Sequence, residues 1–244
     1  MKFENTEVWG FEHAFRGMRN PLNSWDKSDS FLGCPNGSNH YEEHTSCDEC
    51  LYSIECSNFK NNYIIGKNDL NLAQRLIKGG SEHRKFLRQI MVSVDITAPL
   101  YWYKEFDTYK VGTTANSTST MHKLTSQPIT LDSFEIDDLS EHLVWRCKND
   151  LPWGIQGTVA TFIRSLEDLR KMYLETKDKR YWKELIRWLP ESWLQTRTIT
   201  MNYENLRNMY FQRKNHKLTE WSKSFIEWVE SLPYAKELII YTGE

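Results

Sequence analysis

Alternating apolar and polar positions predict a strand in the middle of the chain. Every second residue from Ile90 to Ile96 is β-branched and apolar, and three of the four residues that follow them are polar. This period of two is typical of a strand with one buried face. Ala98-Pro99 ends the pattern. Because Pro is well tolerated in a first helical turn, the aromatic run from Leu100 to Phe106 is predicted to form a helix.

Apolar residues at helical spacing predict a second group of elements. Leu70, Leu72, Leu76 and Ile77 approximate this spacing, and Gly79-Gly80 can end the helix near residue 78. Similar patterns, with little Gly or Pro, predict further helices over residues 157–175, 177–188, 203–214 and 217–231. Between them, residues 196–201 are predicted to be extended.

Two polar stretches lack this periodicity. Residues 17–62 contain several Gly and Pro breakers, so we predict an ordered loop or a small insertion tied by a metal. Residues 113–120 are small, uncharged and rich in hydroxyl groups. We predict a loop there that can approach a ligand closely.

Length and composition narrow the class of protein. The 244 residues are predicted to form a single domain, 1–244, with a Cys/His-rich insertion at about residues 30–60. Hydrophobic residues make up 39% of the chain and aromatic residues 14%, which excludes disorder for most of it. The 31 Lys and Arg nearly balance the 33 Asp and Glu, so no general field attracts nucleic acid or an anionic membrane.

The sequence also lacks the patterns of an exported or membrane-spanning chain. Residues 1–10 mix charged and apolar residues and do not contain the apolar core of a secretory signal. The longest apolar runs fall well below the ~20 residues that cross a bilayer. We therefore expect a cytoplasmic protein, whose reducing surroundings keep cysteines as thiols or metal ligands.

Four cysteines are concentrated in one short segment. Cys34, Cys47, Cys50 and Cys56 lie together with His40 and His44, and the Cys47-Asp-Glu-Cys50 spacing suits two thiolates on one metal. We predict a closed structural zinc site of the four cysteines, or one in which a histidine replaces a cysteine. Four reduced thiols, or a redox pair, remain the alternatives.

Two stretches of the chain resemble a known enzyme family. The first runs from Leu76-Ile-Lys-Gly-Gly-Ser-Glu-His83 through the predicted strand to Ala98-Pro99 and on to His122. The flavin-dependent thymidylate synthase family has at these places Arg-His-Gly-His-x-(Ser/Thr)-Pro-Phe-Glu-His, then Ala-Pro, and then Arg-His-Arg-x-x-Ser-x-Asn-Glu-x-Ser-x-Arg-Tyr. Counting back from Ala98-Pro99 places His83 on the first family His after the Gly.

The second stretch begins at Leu189-Pro190. Counting from Pro190 places Asn202 and Asn208 on family asparagines and Arg213 on the late family arginine. Beyond it, the sequence from His216 to Glu220 is similar to the family's His-Ala-Gln-Trp-Glu if one residue is deleted.

The sequence departs from the family pattern at the positively charged Arg-His-Arg motif. The Arg-His-Arg triplet becomes Thr108-Tyr109-Lys110 in one frame and Tyr109-Lys110-Val111 in the other, so only Lys110 remains a cation in both. Glu105 replaces the preceding Gln. The Asn-x-x-Ser pattern is kept as Asn116 and Ser119.

The resemblance implies an α+β fold with helices packed on a central sheet, and a homotetramer. It also implies FAD as cofactor and methylenetetrahydrofolate as co-substrate for one-carbon transfer to C5 of a pyrimidine deoxynucleotide, with dUMP to dTMP as the default. The implied catalytic residues are Arg213, Ser119 and Glu105. The implied cofactor-binding residues are His83, Lys110, Asn116, Asn202 and Asn208.

Several alternatives stay open at this point. The nearest changes the product, for example to a hydroxymethylated pyrimidine nucleotide. Loss of the triplet's cations favours a non-catalytic nucleotide- or flavin-binding homologue, and an accidental match leaves a helical zinc-binding interaction module. Arg213 is also explained as a solvated cation favoured by the dipole at a helix end. Nucleic-acid binding is not expected, because the basic run 207–217 is short.

Overall fold

The computed structural model describes residues 1–32, 63–136 and 155–243. The strands are β1 (Lys2–Trp9), β2 (Phe31–Leu32), β3 (Tyr63–Ile64), β4 (Met91–Pro99), β5 (Thr114–Ser117) and β6 (Leu194–Asn202). Four of them form one sheet in the order β1-β4-β6-β5, and β2 pairs separately with β3. Sheet and helices together confirm the α+β class, and this sheet is incompatible with the alternative of a purely helical module.

The α-helices account for about half of the remaining described chain. They are α1 (Phe11–Arg19), α2 (Lys67–Lys78), α3 (Leu100–Phe106), α4 (Thr120–Lys123), α5 (Ile155–Thr176), α6 (Lys179–Arg187), α7 (Tyr203–Arg213) and α8 (Ile226–Glu230). Within the described ranges, no helix combines the length and the apolar character that crossing a bilayer requires.

Strands β4 and β6 follow the patterns predicted for them. In β4, Val92, Val94 and Ile96 are buried, and the side chains between them are half-buried. Ser93 and Thr200 hydroxyls lie 3.3 Å apart, and those of Thr97 and Thr196 lie 2.7 Å apart. Residue numbers rise along β4 as they fall along β6, so the two strands are antiparallel.

The chain divides into two compact units. The first unit comprises Met1–Lys2, Ile96–Thr108 and Asn116–Thr198, and the second comprises Phe3–Asp95, Tyr109–Ala115 and Ile199–Glu244. Strands β1, β4, β5 and β6 each contribute residues to both units.

The first unit has a core built around the hairpin of α5 and α6. Its buried members are Leu124, Ile129, Phe134, Leu166 and Leu185. One ion pair borders this core, since Arg170 forms two 2.7 Å bonds with the Glu167 carboxylate. These bonds, and the Ile129 N–H donated to Glu167, lower the pKa of Glu167 despite its partial burial.

The second unit is rich in buried aromatic rings. Phe11 of α1 packs edge-on against Tyr203 at 5.7 Å and lies 6.0 Å from Tyr63. The Tyr203 hydroxyl donates to the Pro233 carbonyl at 2.6 Å, and burial raises the pKa of Tyr203 well above its ordinary value. These aromatic contacts join α1, α7 and the C-terminal segment.

A buried ion pair lies at the start of α2 in the second unit. Arg19 Nε donates to Asp69 at 2.5 Å, and the two side chains are 4% and 0% exposed. Asp69 also accepts from the Ser28 hydroxyl and from the Asp29 and Ser30 backbone N–H groups. The carboxylate therefore joins α1 and α2 to the residues that lead into β2.

Three local predictions differ from the structure. Residues 1–16, which carried no predicted element, and residues 17–19, at the start of the predicted loop 17–62, contain β1 and α1. The predicted loop 113–120 contains β5, because its residues extend the sheet beside β6. The predicted helix 217–231 is a π-helical turn at Glu220–Phe225 followed by the short helix α8.

Candidate functional site

Arg213 lies at the end of α7, held between aromatic rings of the second unit. Its Nε donates to the Tyr109 hydroxyl at 2.8 Å. Its guanidinium carbon lies 4.9 Å from the ring centre of Trp221 and 5.4 Å from that of Tyr109. Both distances are within cation–π range. Arg213 is half-buried in this arrangement, so it is not a purely solvated helix-end cation.

The residues after Arg213 continue this cluster. The Leu218 N–H donates to His216 Nδ1 at 3.1 Å, so this ring nitrogen acts as an acceptor. The His216 ring lies 6.5 Å from that of Trp221. Glu220, the residue before Trp221 in the sequence, is buried, with 7% of its surface exposed. The segment that is similar to the family's His-Ala-Gln-Trp-Glu therefore places its histidine ring beside the same tryptophan that contacts Arg213.

The turn at residues 109–113 packs against α7. Asn205 Nδ2 donates to the Val111 carbonyl at 2.7 Å, and the Thr113 hydroxyl donates to the Tyr109 carbonyl at 2.7 Å. Gly112 has φ of +77°, and a Cβ there would lie 3.0 Å from the side chains of Asn202 and Asn205. Lys110 is exposed on this turn.

Asn202 and Asn208 have different surroundings on α7. Asn202 is 8% exposed and caps the helix, since its side chain accepts from the Asn205 N–H at 3.0 Å. Asn208 is exposed. On an ideal helix Asn208 and Arg213 point about 140° apart, so they face different directions.

His83 is exposed and lies against the end of α2. A Cβ at Gly79 would be 3.1 Å from the imidazole, so glycine allows this close approach. The next residue, Arg84, donates to both oxygens of Glu204 at 3.1 and 2.9 Å. Sequence reasoning did not identify Arg84 or Glu204, because their pairing joins positions 120 residues apart.

The first unit contains the other predicted site residues. The Ser119 hydroxyl accepts from the His122 N–H at 3.1 Å and caps α4. Asn116 is exposed on β5, and Glu105 is half-buried in α3. Thus Glu105, Asn116 and Ser119 belong to the first unit, whereas Arg213, Lys110, His83, Asn202 and Asn208 belong to the second.

Arg197 is a further cation of the first unit, and the family motifs do not point to it. Arg197 lies on β6 with its guanidinium carbon 3.8 Å from the ring centre of Tyr103. It donates to Asp107 at 2.8 Å and to Gln195 at 2.9 Å. Burial raises the pKa of Tyr103, so this ring stays a neutral phenol beneath the cation.

The predicted zinc ligands Cys34, Cys47, Cys50 and Cys56 lie outside the described residues. Among the residues that are described, no three His, Cys, Asp or Glu side chains converge in a way that could hold a metal ion. The residues that flank the segment 33–62 lie opposite each other, since Leu32 pairs with Tyr63.

Comparison with solved structures identifies the fold. The chain is similar to a flavin-dependent thymidylate synthase, ThyX, from Helicobacter pylori complexed with FAD and dUMP, with a TM-score of 0.60 and 15% identity over 99% of this chain and 98% of that one. A second structure of the Helicobacter pylori enzyme with FAD and dUMP gives a TM-score of 0.60 and 18% identity over 98% and 97%. No family model matches the sequence, and neither does any curated protein. The chain therefore has the ThyX fold.

Proposed function

We propose that this protein is a flavin-dependent transferase that adds a one-carbon unit to C5 of a pyrimidine deoxynucleotide. The default reaction is methylation of dUMP to dTMP with methylenetetrahydrofolate. The position of Arg213 carries this proposal, because the late arginine of the family pattern lies half-buried among aromatic side chains in a chain with the ThyX fold.

Arg213 supplies the chemistry that a nucleotide needs. Its planar guanidinium can form paired, charge-assisted hydrogen bonds to a phosphate or to a uracil carbonyl. Packing against Trp221 and Tyr109 lowers the water content around the cation, which strengthens its attraction for an anion. We therefore assign nucleotide binding to Arg213.

The second unit also offers donors that suit FAD. Asn208 presents an exposed amide, His83 an exposed imidazole and Lys110 an exposed ammonium group. Amide and imidazole groups suit hydrogen bonds to a flavin ring, and an ammonium group suits its diphosphate. Asn202 contributes by fixing the start of α7. Bound FAD would supply the reducing equivalents for the transfer.

In the first unit we assign Ser119 to phosphate binding and Glu105 to recognition of the base, and Asn116 to the cofactor. A carboxylate accepts where the family's Gln amide donates, so Glu105 can change the preferred base. Titration with dUMP and dCMP tests this. Exclusive binding of dUMP would contradict the assignment to Glu105 and would leave the reaction class intact.

The decisive experiment is an absorbance spectrum of the purified protein in the visible flavin region, with and without FAD, followed by dUMP titration. We expect FAD to bind and its bands to shift with dUMP. Product analysis with methylenetetrahydrofolate and a reductant then separates methylation from hydroxymethylation. If no FAD binds at any concentration, the redox mechanism is wrong.

A non-catalytic nucleotide- or flavin-binding homologue is the second candidate. Its support is the turn at residues 109–111, where Lys110 is the only cation in place of the family's triplet. This candidate predicts that FAD and dUMP bind but that no product forms under any reductant.

We also propose a structural zinc ion on Cys34, Cys47, Cys50 and Cys56, and a homotetramer. The pairing of Leu32 with Tyr63 supports the first, because it holds together the two residues that flank the cysteine-bearing segment 33–62. Metal analysis at one zinc per chain, and the mass in solution, test the two proposals separately.

A further inference from the structure

Tyr109 stands where the family has a charged triplet, yet it is bound to the arginine that we assign to the nucleotide. Its hydroxyl donates to Gln212 Oε1 at 3.0 Å and accepts from Arg213 Nε at 2.8 Å. A phenol has one proton, so donation to Gln212 directs an oxygen lone pair at Arg213. The direction of both bonds is thereby fixed.

Ring packing restricts the same guanidinium further. The Tyr109 and Trp221 rings lie 6.3 Å apart at an angle of 61°, and the Arg213 guanidinium contacts both. Trp221 is fully buried and cannot move aside easily. Together these contacts limit the rotation of the guanidinium about its side-chain bonds.

Tyr109 is itself held by its own turn. The Thr113 hydroxyl binds the Tyr109 carbonyl, and Asn205 of α7 binds the carbonyl of Val111 two residues further on. The phenol therefore approaches Arg213 from a turn that is fastened to the same helix. The turn and α7 therefore hold the Tyr109 hydroxyl next to Arg213.

We propose that Tyr109 is a positioning residue, which fixes the plane of the Arg213 guanidinium and so raises the affinity for a pyrimidine nucleotide. This inference rests on the proposed function of Arg213. An arginine side chain loses considerable rotamer entropy when it binds a ligand. Holding it in one orientation beforehand removes part of that loss, which is the usual gain from preorganisation.

The test is a double-mutant cycle on the full chain loaded with FAD. Affinity for dUMP is measured for the unmodified protein, Tyr109→Phe, Arg213→Ala and the double variant. We expect Tyr109→Phe to weaken dUMP binding about tenfold, the effect of losing one hydrogen bond to a charged group. In the Arg213→Ala background it should change nothing. FAD affinity should stay constant, and Tyr173→Phe on α5 of the first unit serves as the matched control.

A spectroscopic measurement reports on positioning without the nucleotide. The Arg213 Nε proton should exchange slowly in the unmodified protein and faster in Tyr109→Phe. Gln212→Leu, which keeps the phenol but removes its acceptor, should shift both readouts in the same direction by a smaller amount. If Tyr109→Phe does not fold, both measurements are made on Gln212→Leu instead.

The outcomes separate the two claims. If the unmodified protein binds dUMP but Tyr109→Phe binds it equally well, the positioning role is wrong and the proposed function stands. Equal losses in both Arg213 backgrounds also overturn it, because Tyr109 then acts independently. If the unmodified protein does not bind dUMP, the proposed function fails, and the positioning role fails with it.

Discussion

Single residues in the second unit show how charge is kept inside a small core. Arg207 is 9% exposed and donates to the carbonyls of Ile239 and Tyr241. Burial lowers the pKa of Arg207, and the nearby Arg84 adds to this effect while Glu204 opposes it. Backbone carbonyls thus fix a buried cation and attach the C-terminal segment to α7.

Asp69 should contribute strongly to stability. Burial by itself raises its pKa, but hydrogen bonds from Ser30, Ser28 and Arg19 bring it below the ordinary value. Removing one partner of a buried ion pair typically costs about 3–5 kcal/mol. We expect a loss of this size in the free energy of unfolding of Asp69→Asn at pH 7, measured with urea.

The pH dependence of that loss follows from the sign of the shift. A carboxyl group with a lowered pKa in the folded state stabilises the protein above its unfolded pKa of about 3.9, and this contribution disappears as the pH falls through the folded pKa. The difference in the free energy of unfolding between the unmodified protein and Asp69→Asn should therefore become smaller as the pH falls. Asp26→Asn, at an exposed site, is the control. A difference that is independent of pH would contradict this account.

Gly112 should be required both for its positive φ and for space. Gly112→Ala places a Cβ 3.0 Å from the Asn202 and Asn205 side chains at φ of +77°. Gly80→Ala is a matched control, because φ is +97° there but nothing lies within 4 Å of the new Cβ. Backbone strain alone costs about 1 kcal/mol in each variant. Thermal unfolding should show a larger loss of stability for Gly112→Ala than for Gly80→Ala. Equal losses would contradict the expected clash with the Asn202 and Asn205 side chains.

At the scale of elements, α7 combines a structural role with the ligand-binding role that we propose for it. Its N-terminus is closed by the capping box of Asn202 and Asn205, and its C-terminus carries Arg213. Buried side chains such as Leu206 and Met209 fix the helix in the core. The exposed face containing Asn208 is then available for a ligand. One helix therefore orients three of the five residues that the family resemblance selects in the second unit, namely Asn202, Asn208 and Arg213.

The two family asparagines of α7 should separate in experiment. Asn202→Ala should lower the free energy of unfolding by about 1 kcal/mol, the usual value of an N-cap, whereas Asn202→Asp should keep it. Asn208→Ala should leave stability within about 0.5 kcal/mol, as exposed substitutions do. It should instead weaken FAD binding. Denaturant unfolding and flavin titration on the three variants measure both properties, and a large stability loss in Asn208→Ala would refute the division.

At the scale of the whole molecule, the described chain forms two units with their own cores. The first contains the helical hairpin of α5 and α6 and, in α3, the stacked buried rings of Trp102 and Phe106, whereas the second has aromatic rings around α1 and α7. The single-domain organisation with an insertion remains a prediction. The β2–β3 pair gives that prediction a direct test, because it brings Leu32 and Tyr63 opposite each other.

Replacing residues 33–62 by Asn-Gly should leave the rest of the protein folded. Two antiparallel strands with facing ends can be joined by a two-residue turn, for which Asn-Gly is preferred. We expect an unchanged circular dichroism spectrum and a melting temperature within about 4 °C, which corresponds to about 1 kcal/mol for a protein of this size. Global unfolding of the shortened chain would show that the segment is not an insertion.

The sequence predicted the elements whose patterns are local. The alternation along β4, the helical spacing of α2 and the apolar residues of α5 and α6 depend on which face each element buries, so they can be read from neighbouring residues. In α1, Phe11, Ala14, Phe15 and Met18 have the same helical spacing and are all buried. The pattern of α1 is therefore local too and is present in the sequence.

Tertiary structure alone decided the rest. β5 is uncharged, hydroxyl-rich and exposed, so only the edge of β6 makes it a strand. Pairs such as Arg84 with Glu204, and Tyr109 with Arg213, join residues more than 100 positions apart. The sequence determined which side chains carry charge and which motif places Arg213 near the end of a helix. Folding determined what that guanidinium touches, because contacts between distant segments form only when the whole core excludes water.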